Sequence, residues 1–118
     1  MQNIKKTKME FLRECYDDYV GLWSLIRRIK LQTKNEDPKS VRDMTISLIA
    51  EFLRQGFIKA GIPRISGEFE EWELSPEKTI ERIQEEWDKL GAEPNMGDIV
   101  WFTTTEAGDT EVNAVQLN

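Results

Sequence analysis

The sequence predicts a single α+β domain that is mostly α, and three kinds of pattern predict it. Apolar residues recur at spacings of three and four along much of the chain, which is typical of amphipathic helices. Short β-favouring runs follow a glycine or a turn, which favours strands. Two helix starts pair an N-cap residue with proline, at Asp37-Pro38 and Ser75-Pro76. The length of 118 residues suits one domain spanning residues 1–118.

Three helices are predicted in the first half of the chain. The first covers residues 7–16, and Asp17 and Asp18 then supply N-cap chemistry for a second over residues 19–31. The third covers residues 38–55 and ends before Gly56, a natural C′ residue. We expect the second and third helices to pack on each other through Leu25, Ile26 and Ile29 against Leu48, Ile49 and Phe52.

The second half alternates strands with one further helix. Residues 57–62 are β-like, with Ile58, Ala60 and Ile62 on one face. After a turn at Ser66-Gly67, residues 69–74 form a possible returning strand, with Trp72 and Leu74 on one side. The fourth helix covers residues 76–90, ends at Gly91, and turns four residues toward the core: Ile80, Ile83, Trp87 and Leu90.

The chain ends with one more strand and a polar tail. Residues 99–105 are the strongest strand candidate because they are rich in β-branched and aromatic types. Residues 109–118 are polar and are expected to fray, and residues 1–6 are likewise expected to be flexible. The predicted order is therefore helix, helix, helix, strand, strand, helix, strand.

The stretch from Trp23 to Gly61 resembles a winged helix-turn-helix domain. The resemblance lies in the second helix and in the pattern Leu48-Ile49-x-x-Phe52-Leu53-x-x-Gly56-Phe57-Ile58. The segment Trp101-x-x-x-Thr105-Glu106-x-Gly108 resembles the final wing strand of such domains. It implies a winged-helix-like three-helix core with a small antiparallel sheet and an extra helix. Two features depart from the pattern: a long connector between helices two and three, and a helix that interrupts the wing strands.

The chain also resembles a small uncharacterised family of bacterial proteins that share a Gly-Asp-Ile-Val-Trp-Phe-Thr segment, here residues 97–103. No particular activity follows from that resemblance.

Charge is distributed unevenly along the chain. Residues 1–64 hold 13 Lys and Arg against 8 Asp and Glu, whereas residues 65–118 hold 3 against 14. Such asymmetry concerns the choice of partner rather than the fold.

The densest acidic run is the candidate protein-binding site. We call it the acidic segment, and it comprises Glu68, Phe69, Glu70, Glu71, Trp72 and Glu73. It is either a surface for a basic partner, with Phe69 or Trp72 as its anchor, or a charged edge strand that prevents aggregation, with Trp72 turned inward. A binding module of the immunity or inhibitor kind, which neutralises a basic protein, is the preferred function by analogy of class alone.

The alternative is a DNA-binding transcription regulator of the winged-helix type. A winged helix usually reads DNA with its third helix, and phosphate contacts need cations or donors. The residues available for this role are Arg27, Arg28, Lys39, Arg42 and Ser47. These residues could instead be the solvated surface of amphipathic helices, and the acidic second half would repel a duplex.

Catalysis is disfavoured, and no cofactor or metal is expected. The chain contains no histidine, which removes the commonest general base and metal ligand. Its single cysteine, Cys15, cannot form an internal disulfide and lies near an apolar helix face, so we expect an inert thiol. No apolar run approaches the length of a membrane span or signal peptide, so we expect a cytoplasmic protein. The oligomeric state is not indicated.

Overall fold

The computed structural model describes residues 4–116 and has an α+β fold. Within those residues there are five helices and one four-stranded antiparallel sheet. In chain order the elements are α1 (Ile4–Asp17), β1 (Val20–Gly21), α2 (Leu22–Thr33), α3 (Pro38–Gln55), β2 (Ile58–Pro63), β3 (Phe69–Glu71), α4 (Pro76–Leu90), β4 (Trp101–Thr104) and α5 (Glu106–Gln116). The predicted class, α+β and mostly α, is confirmed.

The sheet has the strand order β1-β4-β2-β3, and all its neighbours are antiparallel. Phe102 of β4 lies opposite Val20 on one side and Ala60 on the other, and all three side chains are buried on the same face. The second face carries Trp101 between two glycines, Gly21 and Gly61. Strand β3 pairs with β2 alone, so it forms an edge of the sheet.

The core forms where α1, α2 and α3 meet the buried face of the sheet. The six residues predicted to join α2 to α3 are buried in one cluster: Leu25, Ile26, Ile29, Leu48, Ile49 and Phe52. The ring of Phe11 in α1 lies 6.2 Å from the ring of Phe52 and 5.9 Å from that of Phe102. Helices and sheet therefore share a single hydrophobic core.

The predicted ends of α3 and α4 are confirmed. The Asp37 carboxylate accepts a hydrogen bond from the backbone N–H of Ser40, and the Ser75 hydroxyl accepts one from that of Lys78. At the other ends, Gly56 and Gly91 adopt positive φ angles, which suit glycine because it has no Cβ. Local chemistry alone therefore sets the limits of these two helices.

The predicted start of the second helix is wrong. Helix α2 begins at Leu22, its N-cap is Gly21, and no side chain caps it. Asp18 instead accepts a hydrogen bond from the backbone N–H of the adjacent Tyr19. Val20 and Gly21 pair with β4, and this pairing keeps the chain extended for two residues before the helix begins. The partner strand is 80 residues away in sequence, so local propensity could not reveal it.

The polar tail and the N-terminal residues, which were expected to lack regular structure, are helical over most of their length. Residues 109–116 lie in α5, and Ile4–Lys6 lie in α1; residues 1–3 and 117–118 are outside the described part of the chain. The Thr105 hydroxyl accepts a hydrogen bond from the backbone N–H of Gly108, which caps the start of α5. Val112 is buried and α5 packs against α1, so tertiary contact stabilises a helix whose sequence is mostly polar.

Leu90, which was predicted to face the core, is exposed, and so are Ile62 and Leu74, which were predicted to share a strand face with residues that are buried or half-buried. Ile62 lies beyond the stretch of β2 that pairs with β4. Leu74 follows Glu73, whose positive φ of 55° interrupts the strand alternation. The final strand is likewise shorter than predicted, because Ile99 has a φ of 70° and Thr105 caps α5.

Gly108 offers a test of how closely α5 packs on the sheet. A Cβ at Gly108 would overlap the backbone carbonyl of Phe57. Replacing a helical glycine by alanine ordinarily stabilises a protein by about 0.5–1 kcal/mol. We expect the opposite for Gly108→Ala, a loss of about 1–3 kcal/mol from the free energy of unfolding, because backbone must move. Urea unfolding measures the change, and any gain in stability would contradict the close approach.

Candidate protein-binding surface

The free edge of β3 presents unpaired backbone groups. The N–H of Arg64 bonds to the carbonyl of Glu68 at 2.7 Å, and the N–H of Trp72 bonds to the carbonyl of Ala60 at 3.0 Å. In an antiparallel strand, every second residue directs its backbone N–H and C=O groups at the same neighbouring strand. The backbone groups of Glu70, which lies between Glu68 and Trp72 in this alternation, therefore also point toward β2. The N–H and C=O groups of Phe69 and Glu71 consequently point away from the sheet. This edge is a template for an additional strand.

The two aromatic residues of the acidic segment lie on opposite faces of the sheet. Trp72 packs against the core, and the guanidinium carbon of Arg82 lies 3.8 Å from the centre of its ring. Phe69 is half-buried on the second face, with its ring 5.0 Å from that of Tyr19. Trp72 is thus turned inward, and Phe69 is the aromatic residue of this segment that an incoming chain could contact.

The glutamates of the acidic segment are partly neutralised. Arg64 pairs with Glu70, and Lys59 lies 3.9 Å from Glu71. Glu68 and Glu73 are exposed and form no ion pair within the described residues. On the nearby helix α4, Glu85 is also exposed and forms no such pair. The edge therefore keeps a negative balance around the outward-facing backbone groups.

Helix α4 continues the acidic surface, but several of its carboxylates are bound to arginines. Arg54 donates to both oxygens of Glu77 at 2.9 Å. This hydrogen-bonded contact lowers the pKa of Glu77 and raises that of Arg54. Arg82 donates to Glu86 at 2.7 Å. Because Glu77 and Glu86 are already paired with arginines of the same chain, they contribute little charge to a surface for a partner.

Folding pairs cations of the first half with acids of the second. Arg42 contacts Asp88 at 2.8 Å, and Lys30 contacts Glu93 at 2.9 Å. Arg54, Lys59 and Arg64 likewise pair with acids that follow residue 64. The charge separation seen along the sequence is accordingly much smaller on the folded surface.

The residues named for DNA binding do not form a continuous basic face. Arg28 pairs with Glu14 at 2.6 Å and Glu10 at 3.4 Å, and Lys39 pairs with Asp43 at 3.2 Å. Arg27 and Ser47 are exposed. Two of the cations in this set thus have carboxylate partners on α1 and α3.

Helix α4 packs on the side of α3 where Arg42 lies, which is part of the face that would contact DNA. Arg42 contacts this helix three times: its guanidinium donates to Gln84, pairs with Asp88 and lies 4.9 Å from the ring centre of Trp87. Ala50, three residues after Ser47 on α3, is buried. The helix that interrupts the predicted wing strands therefore packs against the predicted recognition helix.

A second concave feature escaped the sequence interpretation. Tyr19, Trp23 and Trp101 line a cavity of about 330 Å³ beside β1, together with Asp17 and Asp18. The aromatic residues come from distant parts of the chain, and only the pairing of Gly21 with Trp101 brings them together. The one sequence signal was the strand alternation around Phe102, which assigns Trp101 to the opposite face.

The remaining chemistry of the described residues is limited. Burial, with a smaller contribution from Glu14, raises the pKa of the Cys15 thiol and makes the thiolate unfavourable. Residues 4–116 contain no group of three or more side chains placed to hold a metal ion. Among those same residues, no helix combines the length and apolar character that crossing a membrane requires.

No protein-family model, curated protein or solved structure matches the chain. Function is therefore inferred from the geometry of the surface.

Proposed function

We propose that this chain is a non-catalytic binding module whose partner is a basic protein, and that the partner adds an extended segment to the free edge of β3. The observation that carries the proposal is the combination found there. Outward-facing backbone groups of Phe69 and Glu71 lie among acidic side chains on an unpaired edge strand. Inhibition or neutralisation of a basic effector is the kind of activity that suits such a module.

Backbone groups and acidic side chains are expected to contribute to binding in different ways. Backbone hydrogen bonds of an added strand supply affinity, and side-chain contacts supply specificity. The acidic side chains mainly accelerate encounter with a cationic partner. Phe69, half-buried on the second face, offers apolar area to the bound segment.

The same charges argue against a second copy of this chain as the occupant. If two β3 strands paired, Glu68, Glu70 and Glu71 of each copy would lie near their counterparts, and like charges across strands are destabilising. Acidic residues on an edge strand discourage such self-association. A basic segment reverses the sign of this interaction, so charge complementarity favours a foreign basic chain.

The winged-helix relationship stays part of the proposal. Strand β4 pairs with both β1 and β2, and it follows the three-helix core in the order that the resemblance implies. On this interpretation, β3 and α4 are additions within the wing. Helix α4 packs on α3 and β3 forms the acidic edge, which supports protein binding over DNA binding.

Paired substitutions at Glu71 separate the backbone contribution from the charge contribution. Glu71→Pro removes an outward N–H, and edge positions tolerate proline. Glu71→Gln keeps the N–H and removes the charge. The probe is a short capped peptide that alternates lysine and valine, with a glutamate–valine peptide as control. We expect Glu71→Pro to weaken binding roughly 3- to 10-fold through the lost hydrogen bond. Glu71→Gln should mainly slow association and reduce its salt dependence.

Amide exchange shows where the peptide binds. The N–H groups of Phe69 and Glu71 should exchange rapidly in the free protein and slowly in the complex. Unchanged affinity of a folded Glu71→Pro variant would contradict strand addition. A β3-mediated homodimer in sedimentation would identify a second copy as the occupant. Retardation of random duplex DNA at about 50 mM salt, lost steeply as salt rises, would favour the DNA-binding alternative.

A further inference from the structure

The cavity beside β1 is built around a glycine. A Cβ at Gly21 would lie 2.8 Å from Cδ1 and 2.9 Å from Nε1 of Trp23, and 3.5 Å from Cε3 of Trp101. The two indoles therefore converge where a side chain would otherwise stand. Tyr19 completes the aromatic lining and joins it to the hairpin, because its hydroxyl donates to the carbonyl of Gly67 at 2.8 Å.

The rim of this cavity is acidic. Glu14, Asp17 and Asp18 line it at the C-terminal end of α1. Glu14 is paired with Arg28, and Asp17 lies 3.4 Å from Arg13. Asp18 is exposed and forms no ion pair within the described part of the chain. The negative end of the α1 dipole adds to this potential, so the cavity favours a cation.

The indoles of this cavity differ from the other two in the molecule. Trp72 and Trp87 each carry an arginine over the ring, at 3.8 and 4.9 Å from the ring centre. No described cation lies over Trp23 or Trp101 in this way. The Nε1 atoms of Trp23 and Trp72 are both buried without an acceptor in residues 4–116, so the arginine over its ring is what sets Trp72 apart. Indole faces beside carboxylates are the usual setting for recognition of ammonium groups.

We propose that this aromatic cavity receives the side chain of a lysine from the basic partner. The inference rests on the proposed function for the nature of the partner, and it adds a specificity-determining site. Phe69 of the edge strand packs on Tyr19 of the cavity, so both sites belong to one surface. Because β1 and β3 lie at opposite edges of the sheet, the lysine belongs to a part of the partner that crosses the second face beside Phe69 and Tyr19, and not to the added strand itself.

The indole N–H signals in nitrogen-correlated NMR spectra provide the test. The probe is a capped Gly-Lys-Gly peptide, and capped Gly-norleucine-Gly is the matched neutral control. We expect the signals of Trp23 and Trp101 to shift saturably with the lysine peptide alone. The signals of Trp72 and Trp87 serve as internal controls and should stay in place. A shift of all four signals, or an equal response to norleucine, would overturn the inference.

Two variants locate the binding more sharply. Gly21→Ala should reduce lysine-peptide affinity about tenfold because the new Cβ would displace the Trp23 indole from the cavity wall, and Gly21 has an ordinary φ of −78° that alanine can adopt. Asp18→Asn keeps an oxygen that can accept from the N–H of Tyr19, and it should reduce affinity about threefold by removing charge. Full affinity in a folded Gly21→Ala variant would place the lysine elsewhere and contradict the proposal.

Two further comparisons show whether the ammonium group comes from a polypeptide, and whether the cavity and the β3 edge bind independently. Tighter binding of the lysine peptide than of n-butylammonium supports a polypeptide source, whereas equal or weaker binding overturns it. Glu71→Pro should leave tripeptide binding unchanged, because the tripeptide does not depend on strand addition. If the tripeptide fails to bind while the longer basic peptide still depends on Glu71, the cavity inference is wrong and the edge-strand function stands.

Discussion

Replacing Phe102 by alanine should lower the free energy of unfolding by about 3–5 kcal/mol. Phe102 is fully buried in β4, the strand that joins β1 to β2. Its ring meets that of Phe11 edge to face at 5.9 Å, so the side chain connects the sheet to α1. Truncation would leave a cavity at this junction and would remove the aromatic contact together with the buried area.

Urea unfolding followed by circular dichroism measures this effect. Phe102→Leu is the matched control, because it keeps most of the apolar volume and loses the ring contact. We expect its cost to be clearly smaller than that of alanine. A cost below about 1 kcal/mol for Phe102→Ala would mean that the site collapses around the smaller side chain or is less buried than its position indicates.

Replacing Leu48 by alanine should lower the free energy of unfolding by about 2–5 kcal/mol. Leu48 is 2% exposed and belongs to the cluster that joins α2 to α3. Regular helix backbone at this site cannot readily move to close a gap. The lost burial and the remaining cavity therefore both contribute to the cost.

Leu31→Ala is the matched control for Leu48→Ala. Leu31 lies in α2 and is 68% exposed, so the same substitution there should change stability by no more than about 0.5 kcal/mol. Thermal and urea unfolding should rank the two variants in the same order. Equal effects at the two positions would contradict the helix packing described above.

The sequence alone determines those structural elements that depend on residues close together in the chain. The limits of α3 and α4 follow from Asp37, Ser75, Gly56 and Gly91, because caps and C′ glycines act on the nearest turn of backbone. The apolar stripe of α3 also identified its buried face, since a helix places every third or fourth residue on one side. These contacts span only a few residues, so sequence spacing alone specifies them.

The tertiary structure decided whatever depends on a distant partner. The pairing of β1 with β4 moved the start of α2 to Leu22, and contact with α1 stabilised the polar helix α5. The candidate surface divides in the same way. The acidic run could be recognised in the sequence. Its place on an edge strand depends on the neighbouring strand β2, and the inward position of Trp72 depends on its contact with Arg82.

Charge shows most clearly why folding was needed to interpret this sequence. Counting along the chain separates a basic half from an acidic half, but Coulomb energy depends on distance in space. Arg42, Arg54 and Arg64 belong to the basic half, and each pairs with a carboxylate of the other half. The sequence determined the number and sign of the charges; only the fold decided which carboxylates stay available to a partner, because ion pairs form between neighbours in space.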